Sequence, residues 1–216
     1  MSTSIYFLPG HGGRISNGLG QEIARRGFDV LGRETVGDFK KLDFDLQVET
    51  VAADLKASFW HGDARVIANS YGAYLLLLAL SSLTTFPGKI LLLSPIVGEF
   101  SNDQTRIGFI PPYANRLHAL ASKGLYPIPN NCQIHVGSQD WQSIPDNVTA
   151  FAALIHAQVT VLEGAGHSLP KEYVASLLDN WLIWCSVIIW QFAWTERIDL
   201  ASLIGGLQMG RLRVQT

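Results

Sequence analysis

Charged side chains are scarce in this chain: Asp, Glu, Lys and Arg make up 16% of its 216 residues, against about 25% in an average globular protein. Intrinsic disorder needs the opposite balance, with low hydrophobicity and high charge, and is therefore excluded. The net charge of −2 provides no broad positive field. The composition thus gives no support for binding to nucleic acid or to an anionic membrane.

Cysteines and targeting patterns are also scarce. Cys132 and Cys185 are too few for a disulfide framework. The first ten residues contain neither a basic segment nor a long apolar one, so they do not have the pattern of a secretory signal. The histidines have no metal-ligand spacing, and no phosphate-binding glycine motif is present. We therefore predict a cytoplasmic protein without a metal or another cofactor.

Short apolar runs alternate with longer segments of helical spacing along most of the chain. The runs predict strands at residues 5–9, 28–31, 65–69, 89–93, 133–136 and 158–162. Helices are predicted at 18–26, 46–60, 71–83, 148–156 and 171–184. Such alternation is typical of parallel βαβ units with helices on both faces of one sheet. We therefore predict an α/β fold with a mostly parallel sheet of about six strands.

Two segments interrupt this alternation. Residues 97–131 contain four prolines, and a connection of this length is often a lid or a binding loop. Residues 181–194 are almost entirely apolar and hold four of the six tryptophans. That run is shorter than the ~20 residues that cross a bilayer, so it favours an additional core helix or a contact between copies in a homo-oligomer. Contact with a membrane surface is the alternative. We predict one domain over 1–184 and an extension of unknown role over 185–216.

Ser70 follows a predicted strand and precedes a buried helix, in the sequence Ala68-Asn69-Ser70-Tyr71-Gly72. A sharp strand–turn–helix connection exposes the serine hydroxyl above the edge of the sheet. Strand and helix approach closely at such a turn, so small residues are needed two positions before and after the serine. Ala68 and Gly72 meet this need. The N–H of Tyr71 then lies at a helix N-terminus, where it can stabilise an anion.

Three further loops follow predicted strands, where ligands bind in open parallel sheets. The segment PGHGG at 9–13 can bring a backbone N–H close to a ligand. We predict Gly13 as that donor, with Gly12 as the alternative, and we predict that His11 holds the loop and lines the substrate pocket. Asp140 and His167 each follow a later strand. A carboxylate can orient an imidazole, and an imidazole can activate a serine.

Other residues remain open at this stage. Glu99, Asp103 and Asp146 are alternatives to Asp140 as the acid, because the first two follow the strand at 89–93 and the third lies six residues beyond Asp140. The apolar side chains of the long loop line a substrate pocket or form the loop's own small core. These side chains are Phe100, Phe109, Ile110, Pro112 and Tyr113. Trp141, which follows the predicted acid, either forms a wall of the pocket or only packs against neighbouring side chains.

Four segments, each after a predicted strand, resemble the α/β-hydrolase family: PGHGG at 9–13, ANSYG at 68–72, GSQD at 137–140 and GAGH at 164–167. The resemblance extends over residues 5–184 and is greatest to small bacterial members with a reduced sheet and little cap. Ala68 stands where the family usually has glycine.

The resemblance implies that Ser70 is the nucleophile, His167 the general base and acid, and Asp140 the acid member. It also implies that the amides of Tyr71 and Gly13 bind the oxyanion. The implied activity is that of a cofactor-independent serine hydrolase, most simply a carboxylesterase for small apolar esters. Hydrolysis of amides, thioesters or lactones, perhydrolysis, and ligand binding without catalysis are the alternatives.

Overall fold

The computed structural model describes residues 4–102 and 107–183. The alternative acid Asp103 and the predicted extension over 185–216, including its role in a homo-oligomer, lie outside the described residues. A first compact unit extends to Lys171 and contains every predicted site residue, whereas residues from Glu172 onward belong to a second unit. The predicted domain boundary at residue 184 stays a prediction.

The described part of the chain contains eight strands. They are β1 (Ser4–Leu8), β2 (Asp29–Gly32), β3 (Arg65–Asn69), β4 (Lys89–Leu93), β5 (Phe100–Asn102), β6 (Ile107–Phe109), β7 (Asn131–Gly137) and β8 (Gln158–Leu162). Six of them form one sheet in the order β2-β1-β3-β4-β7-β8. All the strand pairings in this sheet are parallel, which confirms the predicted fold class. β7 begins two residues earlier than predicted, because Asn131 and Cys132 pair with β4.

The helices are α1 (Gly18–Arg25), α2 (Gly37–Lys41), α3 (Phe44–Asp54), α4 (Tyr71–Leu80), α5 (Arg116–Ser122), α6 (Pro145–Leu154) and α7 (Lys171–Ile183). A π-helical turn at Leu55–Phe59 continues α3. The sequence predicted five of them, but not α2 or α5, which have five and seven residues. Helices this short carry too few turns for a hydrophobic period to be read. Among the residues described, no helix is both long and apolar enough to span a membrane.

Helix α4 lies at the centre of the core. All its residues from Gly72 to Leu80 are buried, as a helix that is apolar on every side requires. Side chains of β1 alternate between the two faces of the sheet: Tyr6 and Leu8 join the buried cluster of α3 and α4, whereas Ile5 and Phe7 are buried outside that cluster. The carboxyl ends of β1 and β3 therefore meet beside the first turn of α4.

Residues 97–131, here called the cap segment, contain the antiparallel hairpin of β5 and β6 and the helix α5. Its Phe100, Leu117 and Tyr126 belong to the same buried cluster as α4. Two tyrosine hydroxyls attach it to that helix: Tyr126 donates to the carbonyl of Leu77 at 2.9 Å, and Tyr74 donates to the carbonyl of Pro112 at 2.6 Å. The cap segment thus packs on the core of the first unit and does not form a separate core.

Candidate active site

Ser70 lies in a sharp turn between β3 and α4 with φ +52° and ψ −122°. A residue other than glycine at positive φ costs about 1–3 kcal/mol, so surrounding contacts must hold it there. The N–H of Ser70 donates to the carbonyl of Leu93 at 3.0 Å, and the N–H of Ala73 donates to the carbonyl of Ser70 at 3.1 Å. A Cβ on Gly72 would lie 2.4 Å from the carbonyl oxygens of Leu8 and Pro9. Only glycine permits this approach of helix and strand.

Ser70, His167 and Asp140 are joined by hydrogen bonds. Ser70 Oγ lies 2.8 Å from His167 Nε2, and His167 Nδ1 lies 2.9 Å from Asp140 Oδ1 and 3.0 Å from Oδ2. The three residues come from the ends of β3, β7 and β8, which the parallel sheet brings to one edge. A serine, an imidazole and a carboxylate joined in this order can act as a nucleophile, its base and the group that orients the base.

The carboxylate of Asp140 is buried, with 1% of the residue exposed. Burial by itself would raise its pKa, but hydrogen bonds from His167 and from the N–H groups of Ser143 and Gln142 outweigh this effect and lower the pKa. Those two N–H groups donate to Oδ1 at 2.9 and 3.0 Å. Asp140 therefore remains ionised at neutral pH and can stabilise a positive charge on the imidazole.

Ser143 supports this carboxylate, and the sequence did not single it out. Its N–H binds Asp140, and its hydroxyl donates to the carbonyl of Ser94 at 2.5 Å. The same hydroxyl oxygen lies 3.5 Å from His167 Nδ1. The available signal was the turn itself, since an Asp side chain often accepts from N–H groups two and three residues later.

Two of the alternative acids are placed differently. Glu99 and Asp146 are both exposed, and Asp146 lies in the first turn of α6. His167 Nδ1 is bound to Asp140. In this structure neither alternative is the partner of the histidine.

Gly13, which the sequence predicts as an oxyanion donor, has an N–H group that is already hydrogen-bonded in this structure. Its N–H already donates to the carbonyl of Gly10 at 2.9 Å and to Thr35 Oγ1 at 3.0 Å. Gly12, the alternative, lies at an exposed point of the turn with φ +76°. The sequence could not show this, because glycines mark a tight turn but not which of its N–H groups the turn itself uses.

Gly10 is the part of this loop that lies against Ser70. A Cβ on Gly10 would be 3.2 Å from Ser70 Cβ and 3.6 Å from Ser70 Oγ. The next N–H along the chain belongs to His11 and, within the described residues, donates to no acceptor. The N–H of Tyr71 at the start of α4 likewise has no partner inside the helix. Among the described residues, the N–H groups of His11 and Tyr71, which follow Gly10 and Ser70 in the chain, thus have no backbone acceptor, whereas that of Gly13 has one.

A row of aromatic rings connects the glycine loop to the loop of the acid. Centroid distances are 5.9 Å for His11–Tyr71, 6.1 Å for Tyr71–Phe109, 5.5 Å for Phe109–Phe100 and 5.6 Å for Phe100–Trp141. The predicted pocket residues His11, Phe109 and Trp141 all lie on this row. The row includes Tyr71, which directly follows Ser70, and none of its five side chains is an acid, a lysine or an arginine.

Tyr113, another predicted pocket residue, is not on this row. Its hydroxyl donates to Asp45 Oδ2 at 3.0 Å, and its ring lies 6.1 Å from that of Phe44. These contacts attach the cap segment to α3. The sequence could not distinguish this role from pocket lining, because both require an aromatic residue in the same loop.

No metal-binding group of three or more His, Cys, Asp or Glu side chains is found among the residues that the structure describes. His135, on β7, is 7% exposed, and burial lowers its pKa to about 4. This histidine is therefore neutral at pH 7.

Neutral His135 makes the folding stability depend on pH. The unfolded-state pKa of histidine is about 6.5, so below that pH the unfolded chain binds a proton that the folded chain does not. We expect the contribution of neutral His135 to the free energy of unfolding to be complete above about pH 6.5 and to be lost as the pH falls to about 4. Urea unfolding across this range should show less acid destabilisation in His135→Gln than in wild type. An exposed control, His118→Gln, should retain the wild-type profile; equal acid losses in all three proteins would contradict the expectation.

Comparisons with known proteins detect a structural likeness without a sequence match. No protein-family model matches the chain, and no curated protein matches it. Carboxylesterase CesB from Bacillus subtilis is similar with a TM-score of 0.57 and 14% identity, and the match covers 84% of each chain. A structure reported for carboxylesterases of the thaumarchaeon Nitrososphaera gargenis has a TM-score of 0.55 and 15% identity, over 84% of this chain and 90% of that chain.

A third similar structure is an α/β hydrolase from the metagenome of lagoon sediments at Mar Chica, Morocco. Its TM-score is 0.57 at 19% identity, and the match covers 84% of this chain and 90% of that chain. Likeness at these identities establishes a common fold.

Proposed function

We propose that this chain, which has the α/β-hydrolase fold, is a serine hydrolase and most simply a carboxylesterase that forms an acyl-enzyme on Ser70. The observation that carries the proposal is the continuous set of hydrogen bonds from Ser70 Oγ through His167 to Asp140, at 2.8 and 2.9 Å. A serine hydroxyl is a weak nucleophile without a base, and this geometry supplies one.

In the acylation step, Ser70 Oγ attacks the carbonyl carbon of the ester while His167 Nε2 accepts the hydroxyl proton. The carbonyl oxygen becomes an oxyanion, which the N–H groups of His11 and Tyr71 would bind. Such N–H donors act because they are already oriented where negative charge develops. Asp140 stabilises the imidazolium, which then gives its proton to the departing alcohol as the carbon–oxygen bond breaks.

Deacylation uses the same groups in reverse. His167 takes a proton from a water molecule, the resulting hydroxide attacks the acyl-enzyme, and the proton passes to Ser70 Oγ as the acid is released. No cofactor is required, because each step transfers only protons and an acyl group.

The aromatic row favours a small apolar substrate. Phe109 and Trp141 are partly exposed beside the site, and aromatic rings bind apolar groups through their large contact area. Two of the similar solved structures are described as carboxylesterases, which supports the choice of an ester. The same three residues can also attack thioesters, lactones or amides, and a substrate panel separates these.

Labelling with a fluorophosphonate tests the proposal directly. Wild-type protein should react, and the modified peptide should contain Ser70. Ser70→Ala should not react, whereas the matched control Ser82→Ala, an exposed serine at the end of α4, should react as wild type does. Hydrolysis of ester, thioester, lactone and amide substrates is then compared. A folded wild type that neither reacts nor hydrolyses any of them would replace this proposal with ligand binding without catalysis.

A further inference from the structure

Thr35 is a buried polar residue that the mechanism above does not use. It lies in the connection between β2 and α2 and is 2% exposed. More than twenty positions separate it from the glycine loop in sequence. A buried hydroxyl normally has hydrogen-bond partners, since leaving it without one is costly.

The partners of Thr35 all lie in the glycine loop. Its Oγ1 donates to the carbonyl of Gly10 in a short hydrogen bond and accepts from the N–H of Gly13 at 3.0 Å. The backbone N–H of Thr35 donates to the carbonyl of Gly13 at 3.1 Å. One side chain and its own backbone thus hold both ends of the turn.

The carbonyl of Gly10 and the N–H of His11 belong to one peptide unit. The described residues contain no cis peptide bond, and in a trans peptide the C=O and N–H point in opposite directions. Because the carbonyl points toward Thr35 and Gly13, the N–H of His11 points away from them. Rotation of this peptide would turn the carbonyl oxygen, and its partial negative charge, toward the place where the oxyanion forms.

A second contact holds the other side of Gly10. Its N–H donates to Asn69 Oδ1 at 3.1 Å, and Asn69 directly precedes the nucleophile. The position of Gly10 beside Ser70 is therefore set by Asn69, whereas the direction of the peptide that follows it is set by Thr35.

We propose that Thr35 is a positioning residue of the active site, whose hydroxyl fixes the Gly10–His11 peptide so that the His11 N–H faces the oxyanion. The inference rests on the proposed function, since it assigns Thr35 to the same reaction. Thr35 does not touch the substrate; it acts through the peptide it holds.

The test compares Thr35→Val, which removes the hydroxyl at nearly constant volume, with Thr35→Ser, which keeps it. The control is Thr50→Val, which removes another threonine hydroxyl that donates to a carbonyl, that of Leu46 on α3. Measured quantities are kcat and KM for p-nitrophenyl butyrate and the melting temperature. We expect Thr35→Val to lower kcat about 10- to 100-fold with KM within about twofold of wild type. Thr35→Ser and Thr50→Val should retain wild-type kcat within about threefold.

These expected results distinguish a role of Thr35 in orienting the Gly10–His11 peptide from a general contribution to protein stability. A Thr35→Val enzyme with wild-type kcat, or a Thr35→Ser enzyme as impaired as Thr35→Val, would overturn the inference. A rise in KM with kcat unchanged would overturn it as well. If Thr35→Val does not fold, Thr35→Ala takes its place in the same comparison. Retained activity in Ser70→Ala would refute the proposed function itself, whereas an inactive Ser70→Ala with a fully active Thr35→Val would refute only the role of Thr35.

Discussion

Replacement of His167 by alanine is expected to lower kcat for ester hydrolysis by about 10⁵- to 10⁶-fold, with little change in KM. The reason is that His167 Nε2 lies 2.8 Å from Ser70 Oγ and is the proposed base that makes the hydroxyl nucleophilic. Asp140→Asn should lower kcat by about 10⁴-fold, because the amide keeps the volume but removes the charge that stabilises the imidazolium. Steady-state kinetics on p-nitrophenyl butyrate, after removal of trace wild-type enzyme, measures both values.

The matched control is His61→Ala, since His61 is exposed and lies on the loop before β3. It should retain wild-type kcat. A His167→Ala enzyme within tenfold of wild type would mean that another group activates Ser70, and a normal rate in Asp140→Asn would return Glu99 and Asp146 to consideration.

Gly137→Ala is expected to lower kcat about 100-fold, although Gly137 carries no reactive group. A Cβ at this position would lie 2.2 Å from the carbonyl oxygen of Ala165 and 2.5 Å from that of Gly166. Both carbonyls belong to the loop that holds His167, so the loop must move away. A displacement of about 1 Å at a reacting group can lower kcat about 100-fold, and overpacking of this kind costs about 1–3 kcal/mol of stability.

Gly166→Ala is the control for this prediction, and we expect the substitution nearer to His167 in sequence to be the harmless one. Gly166 is the direct neighbour of His167, but a Cβ there would meet no atom within 4 Å. We expect wild-type kcat and melting temperature for Gly166→Ala, and a loss of both for Gly137→Ala. Equal effects of the two substitutions would show that the close approach at Gly137 does not control the position of His167.

The sequence predicted those parts of the molecule that depend on local pattern. The six parallel strands follow from apolar runs, and the α/β-hydrolase fold follows from the order of the four loops; both are confirmed. The elements of the cap segment were not predicted, because strands of three residues and a helix of seven leave no readable period.

The details of the site depended on contacts that no local pattern records. Ser70, Asp140 and His167 could be selected because each follows a strand, and parallel strands end at one edge. The N–H of Gly13 could not be recognised as occupied, since its acceptor Thr35 comes from a different connection. Ser143 was missed for the same reason: its partner Ser94 lies at the end of another strand.

The point at which the cap segment leaves the six-stranded sheet has a consequence for how the sequence of such a protein can diverge. The cap segment leaves the sheet after β4, which lies between β3 and β7, and none of the proposed reactive groups belongs to it. Its Phe100 and Phe109 nevertheless supply the middle of the aromatic row. Exchange of the partly exposed Phe109 can therefore be sampled by evolution, or in the laboratory, with the proposed reactive groups unchanged and the choice of substrate under selection. The buried Phe100, Leu117 and Tyr126 vary less freely, because they also complete the core around α4.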